Sequence, residues 1–166
     1  MSKLYQKYID INASLDDVWD YISDLNNFCK YNPNHSTIKF LTEQEQGKGT
    51  KFVTKHIFKP IFPIPTLETI CSVENWEKKE KKARITIVEN PSIKLFGYRK
   101  VPFTEHILDY LIREKNEMTS FAYLIWYRGV PKWTGRYHDS VNKKVEEIME
   151  NELKEIKNFL EVKKAA

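Results

Sequence analysis

From Val141 to Val162 the chain reads VNKKVEEIMENELKEIKNFLEV, and this stretch governs how the rest must fold. Val141, Val145, Ile148, Met149, Leu153, Ile156 and Leu160 recur at intervals of three and four, the spacing that places side chains on one face of an α-helix. The pattern predicts a helix of about 25 residues from near Asp139 to Val162, roughly 37 Å long at 1.5 Å per residue. Asp139 or Ser140 stands where an N-cap is expected, with Gly135 ahead of it. Six Lys and six Glu between Lys143 and Lys164 make the other faces polar. A helix with one apolar stripe needs a partner surface, and the segments upstream must supply it.

Those segments are mostly strands. Leu4–Ile11 is rich in β-branched and aromatic residues and reads as the first. Ser14 then caps a helix, with Asp16 and Asp17 complementing the positive end of its dipole and Leu15, Val18, Trp19 and Ile22 forming its apolar face. Leu25–Tyr31 predicts a second short helix or turn, closed by Pro33, which disfavours helical geometry at Asn32. Strands are expected at Thr37–Thr42, Lys51–Phe58, Thr66–Trp76, Ala83–Val88, Phe103–Glu114 and Met118–Arg128. Gly47 and Gly49 supply one turn, the charged run Glu77–Lys82 a hairpin tip, and Lys115 with Asn116 another. The three prolines of KPIFPIP, residues 59–65, predict a stiff loop. Strands with one apolar face must bury it, and the terminal helix is the one large partner, so the sheet is expected to curl round it.

The chain has 166 residues, 41% hydrophobic and 30% charged, which fits one folded domain over residues 1–166 and excludes a disordered tail or a disulfide-rich miniprotein. Two cysteines, Cys29 and Cys71, read as reduced thiols in a reducing cytoplasm. The net charge of +4 is interleaved rather than clustered, so no nucleic-acid partner is expected. The apolar stretch Met118–Tyr127 is about half the roughly 20 residues a spanning helix needs, and MSKLYQKYIDIN lacks the apolar core of a secretory signal.

Three segments together are similar to one family. IDINASLDDVWDYISDLNNFCKYNP (Ile9–Pro33) resembles the opening strand, the Val-Trp helix and the Asp-to-aromatic turn of the START-like, or SRPBCC, helix-grip superfamily. GKGTKF (Gly47–Phe52) resembles its glycine turn, and ELKEIKNFLE (Glu152–Glu161) its closing helix. The resemblance implies an α+β helix-grip fold: a curled antiparallel sheet of about six to seven strands round a long C-terminal helix, with two short helices after the first strand. Lipid-transfer domains, polyketide cyclases and plant allergens share that fold. The proline loop and the insert VPKWTGRY (Val130–Tyr137) depart from the family pattern.

A sheet closed over one helix leaves space at the end the helix does not fill, and such a space is the usual form of a small-molecule site. Candidate lining residues are His56, Phe58, Phe62, Tyr98, Tyr110, Tyr123, Trp126, Trp133, Val141, Val145 and Met149, each of which also reads as ordinary core. His106 shares an alternating face with Leu108, Tyr110 and Ile112, so His106 and Tyr110 are the candidates for proton transfer. Glu68, Glu105 and Asp109 are expected to point outward into solvent, and arginines beside the aromatics to snorkel. No histidine pair has metal-ligand spacing, and no nucleophile elbow or phosphate loop occurs, so neither metal nor cofactor is expected. Three functions follow from this reading. The first is a carrier for a hydrophobic small molecule such as a lipid, quinone, polyketide or aromatic compound. A polyketide cyclase/dehydratase-type enzyme would use the same cavity. A protein-binding, co-chaperone-like module would instead use an exposed apolar patch.

Overall fold

A computed structural model of the chain describes residues 3–32, 35–56, 67–95, 99–102, 105–128 and 135–165, with side chains at 4–32, 35–55, 68–92, 105–128 and 145–163. Strand β1 (Lys3–Ile11) is followed by α1 (Leu15–Ser23), a turn of 3-10 helix (Leu25–Asn27) and α2 (Phe28–Tyr31). Then come β2 (His35–Phe40), β3 (Lys51–His56), β4 (Leu67–Lys79), β5 (Lys82–Leu95), β6 (Arg99–Pro102), β7 (Glu105–Lys115) and β8 (Met118–Arg128). The chain closes with α3 (Gly135–Ala165). The described strands form one antiparallel sheet in the order β1-β8-β7-β5-β4-β3-β2, with β6 pairing the far end of β5. This is the α+β helix-grip arrangement that the sequence implied.

Two periods bring the sheet and α3 together. Side chains alternate along a strand, so Ala83, Ile85 and Ile87 of β5, Leu108, Tyr110 and Ile112 of β7, and Phe121, Tyr123 and Ile125 of β8 share the inner face, all buried. Register stacks them across strands: Ile85 faces Tyr110, Tyr110 faces Tyr123, and Ile112 faces Phe121. On α3 the three-and-four repeat buries Val145, Met149, Leu153, Ile156 and Leu160. Each such side chain removed from water contributes about 1.5–3 kcal/mol. Polar contacts pin the outer side of the helix to the first strand. Lys7 reaches Glu150 at 2.9 Å and Glu146 at 3.3 Å, and Lys157 donates to the Asp10 carbonyl at 2.9 Å.

Helix α1 begins as its sequence requires. The Ser14 hydroxyl oxygen accepts from the Asp17 backbone N–H at 3.1 Å and the same hydroxyl donates to the Asp17 carboxylate at 2.6 Å. Val18 and Ile22 are buried, and Trp19 meets Trp76 of β4 edge-on with centroids 5.5 Å apart. The glycine turn also holds, with Gly49 at φ +90°, a conformation L side chains rarely adopt.

Several boundaries differ from the sequence expectation. Helix α3 begins at Gly135, so Asp139 and Ser140 lie inside it rather than capping it. Strand β5 runs on past Val88 to Leu95, and β6 was not anticipated. Pro91 lies where β5 changes partner from β7 to β6, a break at which a residue without an N–H is tolerated. Strand β2 starts earlier, at His35. The β7–β8 turn is formed by Asn116 and Glu117, at φ 48° and 64°. The proline loop at 59–65 and the Pro33 exit lie outside the described residues. No described helix is long and apolar enough to cross a membrane.

Candidate functional site

The apolar interior is interrupted by a connected set of polar side chains. Glu89 continues the inward series Ile85, Ile87 along β5 and is 2% exposed. Its backbone pairs with Cys71 of β4 on one side and His106 of β7 on the other. The carboxylate lies between two imidazoles: Oε1 is 3.6 Å from His35 Nε2 and Oε2 is 3.5 Å from His106 Nδ1. These are ion-pair distances rather than tight hydrogen bonds. His35 is held from its other nitrogen, with Nδ1 2.7 Å from the Thr54 hydroxyl, and edge-on by Phe28 at 4.9 Å. His106 packs edge-on against Tyr127 at 4.7 Å.

Opposite this array, α3 contributes Glu152, 2% exposed and on the same face as Met149 and Ile156. Burial holds the Glu152 carboxyl well above the usual carboxylate range; the nearby Glu89 charge adds to the rise, and the Tyr123 hydroxyl opposes it by hydrogen bonding. Tyr31, Tyr110 and Tyr123 surround it, with ring centroids 6.3 Å apart for Tyr31 and Tyr110 and 4.8 Å for Tyr110 and Tyr123. Burial pushes all three phenols well above their ordinary range. The Cys71 thiol is raised for the same reason. The Tyr110 hydroxyl is paired with that of Tyr123, whereas among the described residues the Tyr31 hydroxyl and one oxygen of Glu152 have no hydrogen-bond partner. Such atoms are costly inside a protein, about 1–3 kcal/mol each.

The set is the floor of a graded interior. Exposure of the His106 side chain is 15%, while Tyr127 is at 7% and Val145 at 6%. Phe121 and Ile112 at the opposite end are sealed. Among the described side chains, the more exposed end of the interior is the one at His106 and Val145.

The sequence candidates separate on this frame. Tyr110, Tyr123, Val145, Met149 and His106 are brought together inside. Trp126 is not: the alternation that turns Tyr123, Ile125 and Tyr127 inward turns Trp126 to the outer face, where it is 36% exposed. There it borders an open groove of about 690 Å3 with Ile107 and Thr86. His56 is the last residue of β3 and pairs in register with His35, and Val141 lies within α3. Phe58, Phe62, Tyr98 and Trp133 lie outside the described residues. Asp109 points outward as expected but is not solvated. It accepts from Arg84 at 2.8 and 2.7 Å and from Thr86 at 2.8 Å, and is 4% exposed. Glu105 likewise meets Arg128 at 3.4 Å. Tyr31, His35, Glu89 and Glu152 were not among the candidates, although Glu89 and Glu152 occupy positions that continue the apolar periods of their elements.

A curved antiparallel sheet closed over one long helix, with polar groups set into an apolar interior, defines a helix-grip protein of the START/SRPBCC superfamily. The family described as polyketide cyclase / dehydrase and lipid transport matches residues 4–161, and the chain belongs to it. A hypothetical protein of Helicobacter pylori superposes with a TM-score of 0.71 at 15% identity, covering 95% of this chain and 88% of that one. An aromatase/cyclase of Streptomyces does so at 0.65 and 10% identity, covering 97% and 94%. Norcoclaurine synthase of Thalictrum flavum gives 0.65 at 12% identity, covering 99% and 97%. At these identities the likeness is one of fold. No curated protein sequence gives a significant match.

Proposed function

We propose that the chain binds a hydrophobic small molecule, such as a lipid, quinone, polyketide or aromatic compound, between the curved sheet and α3, and acts as its carrier. The observation that carries this reading is the interior floor, where the Tyr31 hydroxyl and a Glu152 oxygen lie unpartnered among apolar side chains. Such groups cost stability unless something satisfies them. A few polar atoms in an apolar chamber are what orient a bound molecule. The family's association with lipid transport supports the same reading.

The test is titration with the neutral fluorophore Nile red. Saturable uptake by the native protein is expected, lost in Met149→Trp and in Val145→Trp, with circular dichroism unchanged. Val145 lies a turn nearer the exposed end, so it tolerates a larger side chain better than Met149. Uptake unchanged in both folded variants would overturn the location of the site.

A second reading, a cyclase/dehydratase-type reaction, is favoured by the Glu89 carboxylate held between His35 and His106. In that reading His106 moves a proton, Tyr110 orients a reactive chain, and proximity supplies most of the acceleration. A bell-shaped pH–rate profile with a poly-β-ketone thioester, lost in His106→Ala, is the expected result. Equal rates in the two proteins would remove His106 from the mechanism.

A further inference from the structure

The floor of the site holds two buried carboxyl groups. Glu89 of β5 and Glu152 of α3 face the same interior, and among the described residues no lysine or arginine is buried with them. Glu89 has His35 of β2 and His106 of β7 beside it. The groups facing Glu152 are of another kind: the phenols of Tyr31 on α2, Tyr110 on β7 and Tyr123 on β8, and beyond them Glu89 itself. Cys71 of β4 lies alongside Glu89 and carries no positive charge. Two acceptor atoms are left without a partner there, Tyr31 Oη and one Glu152 oxygen, each on a side chain at most 2% exposed, with the Tyr110 hydroxyl beside them paired to Tyr123.

A primary ammonium has three N–H donors and one positive charge, and aromatic rings favour a cation over their faces. We propose that the interior site selects molecules with a protonated amine on an apolar body, the ammonium seated against Glu152 and the Tyr31 and Tyr110 hydroxyls. The proposal rests on the reading that the interior binds a hydrophobic small molecule, and narrows its class. The floor is closely packed, so the ammonium parts these groups rather than filling a ready void. The interactions gained then offset the cost of unpartnered polar atoms.

Seating a cation there also moves a proton. Glu152 holds its proton to a higher pH than an exposed glutamate does. On binding, the ammonium keeps its charge, the carboxyl releases its proton to buffer, and a carboxylate–ammonium pair forms. Amine affinity therefore rises with pH below the Glu152 pKa, whereas the affinity for a neutral analogue does not.

The test compares n-octylamine, 1-octanol and octanoate, with 2-phenylethylamine and 2-phenylethanol as a second body, by calorimetry in two buffers of different ionisation enthalpy. The amines are expected to bind at least about tenfold tighter than the alcohols, as for hydrogen bonds to a charged group, and to release up to one proton per molecule. Glu152→Gln should abolish both the preference and the proton release, bringing amine affinity down to that of the alcohol. Its thermal melt reports whether it folds, and Tyr31→Phe, which removes one acceptor, should weaken the amine alone. Equal binding of amine, alcohol and acid, or an amine preference untouched in Glu152→Gln, would overturn the proposal and leave hydrophobic binding standing. Binding of none of the probes would overturn both.

Discussion

Glu152 lies three residues after Met149 and four before Ile156, a position that the helical repeat of α3 assigns to the core. Its charge argued for solvent, and carboxylates are almost never buried without compensation. That compensation comes from Tyr123 and from a retained proton, and neither is visible along one helix. Glu89 has the same history: it continues Ile85 and Ile87, yet the expected strand stopped at Val88. His35 stood two residues before the expected start of its strand. The sequence thus pointed to Tyr110, Tyr123, Val145, Met149 and His106, which lie inside, and missed Tyr31, His35, Glu89 and Glu152, because period alone never argues for burying a charge. A pH dependence follows. The folded chain keeps the Glu152 proton to a higher pH than the unfolded chain, whose glutamates titrate near about 4.3. Stability from this group is therefore present below that range and is lost as pH rises through the folded value. Melting temperatures measured from pH 5 to 8 should fall more steeply for the native protein than for Glu152→Gln; parallel profiles would contradict this assignment.

Among the elements, those with local signatures were the most legible. The Ser14 cap forms as the sequence implied, and Ser14→Ala should cost about 1 kcal/mol in denaturant unfolding, with no change in binding. An unaltered midpoint would show that the cap contributes nothing. The β7–β8 turn places Glu117 at φ 64°, in the left-handed region where a side chain is disfavoured by roughly 1–2 kcal/mol. Glu117→Gly should therefore raise stability by a fraction of that, since glycine also loses more backbone freedom on folding. A loss of stability would mean that the Glu117 side chain makes a compensating contact. Where pairing partners change, local signals fail. Nothing in Asn90–Pro91 announces that β5 leaves β7 for β6, and the start of α3 at Gly135 has no apolar stripe to mark it.

For the molecule as a whole, the same sheet and helix that make the core also make the site. Phe121 and Ile112 are fully buried at one end, and exposure rises towards His106 and Val145 at the other. Phe121→Ala at the closed end should cost about 3–5 kcal/mol, a large share of the 5–15 kcal/mol typical of a domain. A shift in the denaturation midpoint too small for that would mean the closed end repacks. Structures sharing 10–15% identity with this chain keep the fold while their names record an aromatase/cyclase and a norcoclaurine synthase. One fold thus hosts different chemistries, and the fold alone does not name a function. Native mass spectrometry of the freshly purified protein, followed by denaturing extraction, tests the central claim most directly. The interior site predicts a discrete small-molecule adduct that is released on denaturation and absent from folded Met149→Trp and Val145→Trp. An adduct carried equally by both variants, or a bare mass that no apolar compound from a broad panel can shift, would contradict it.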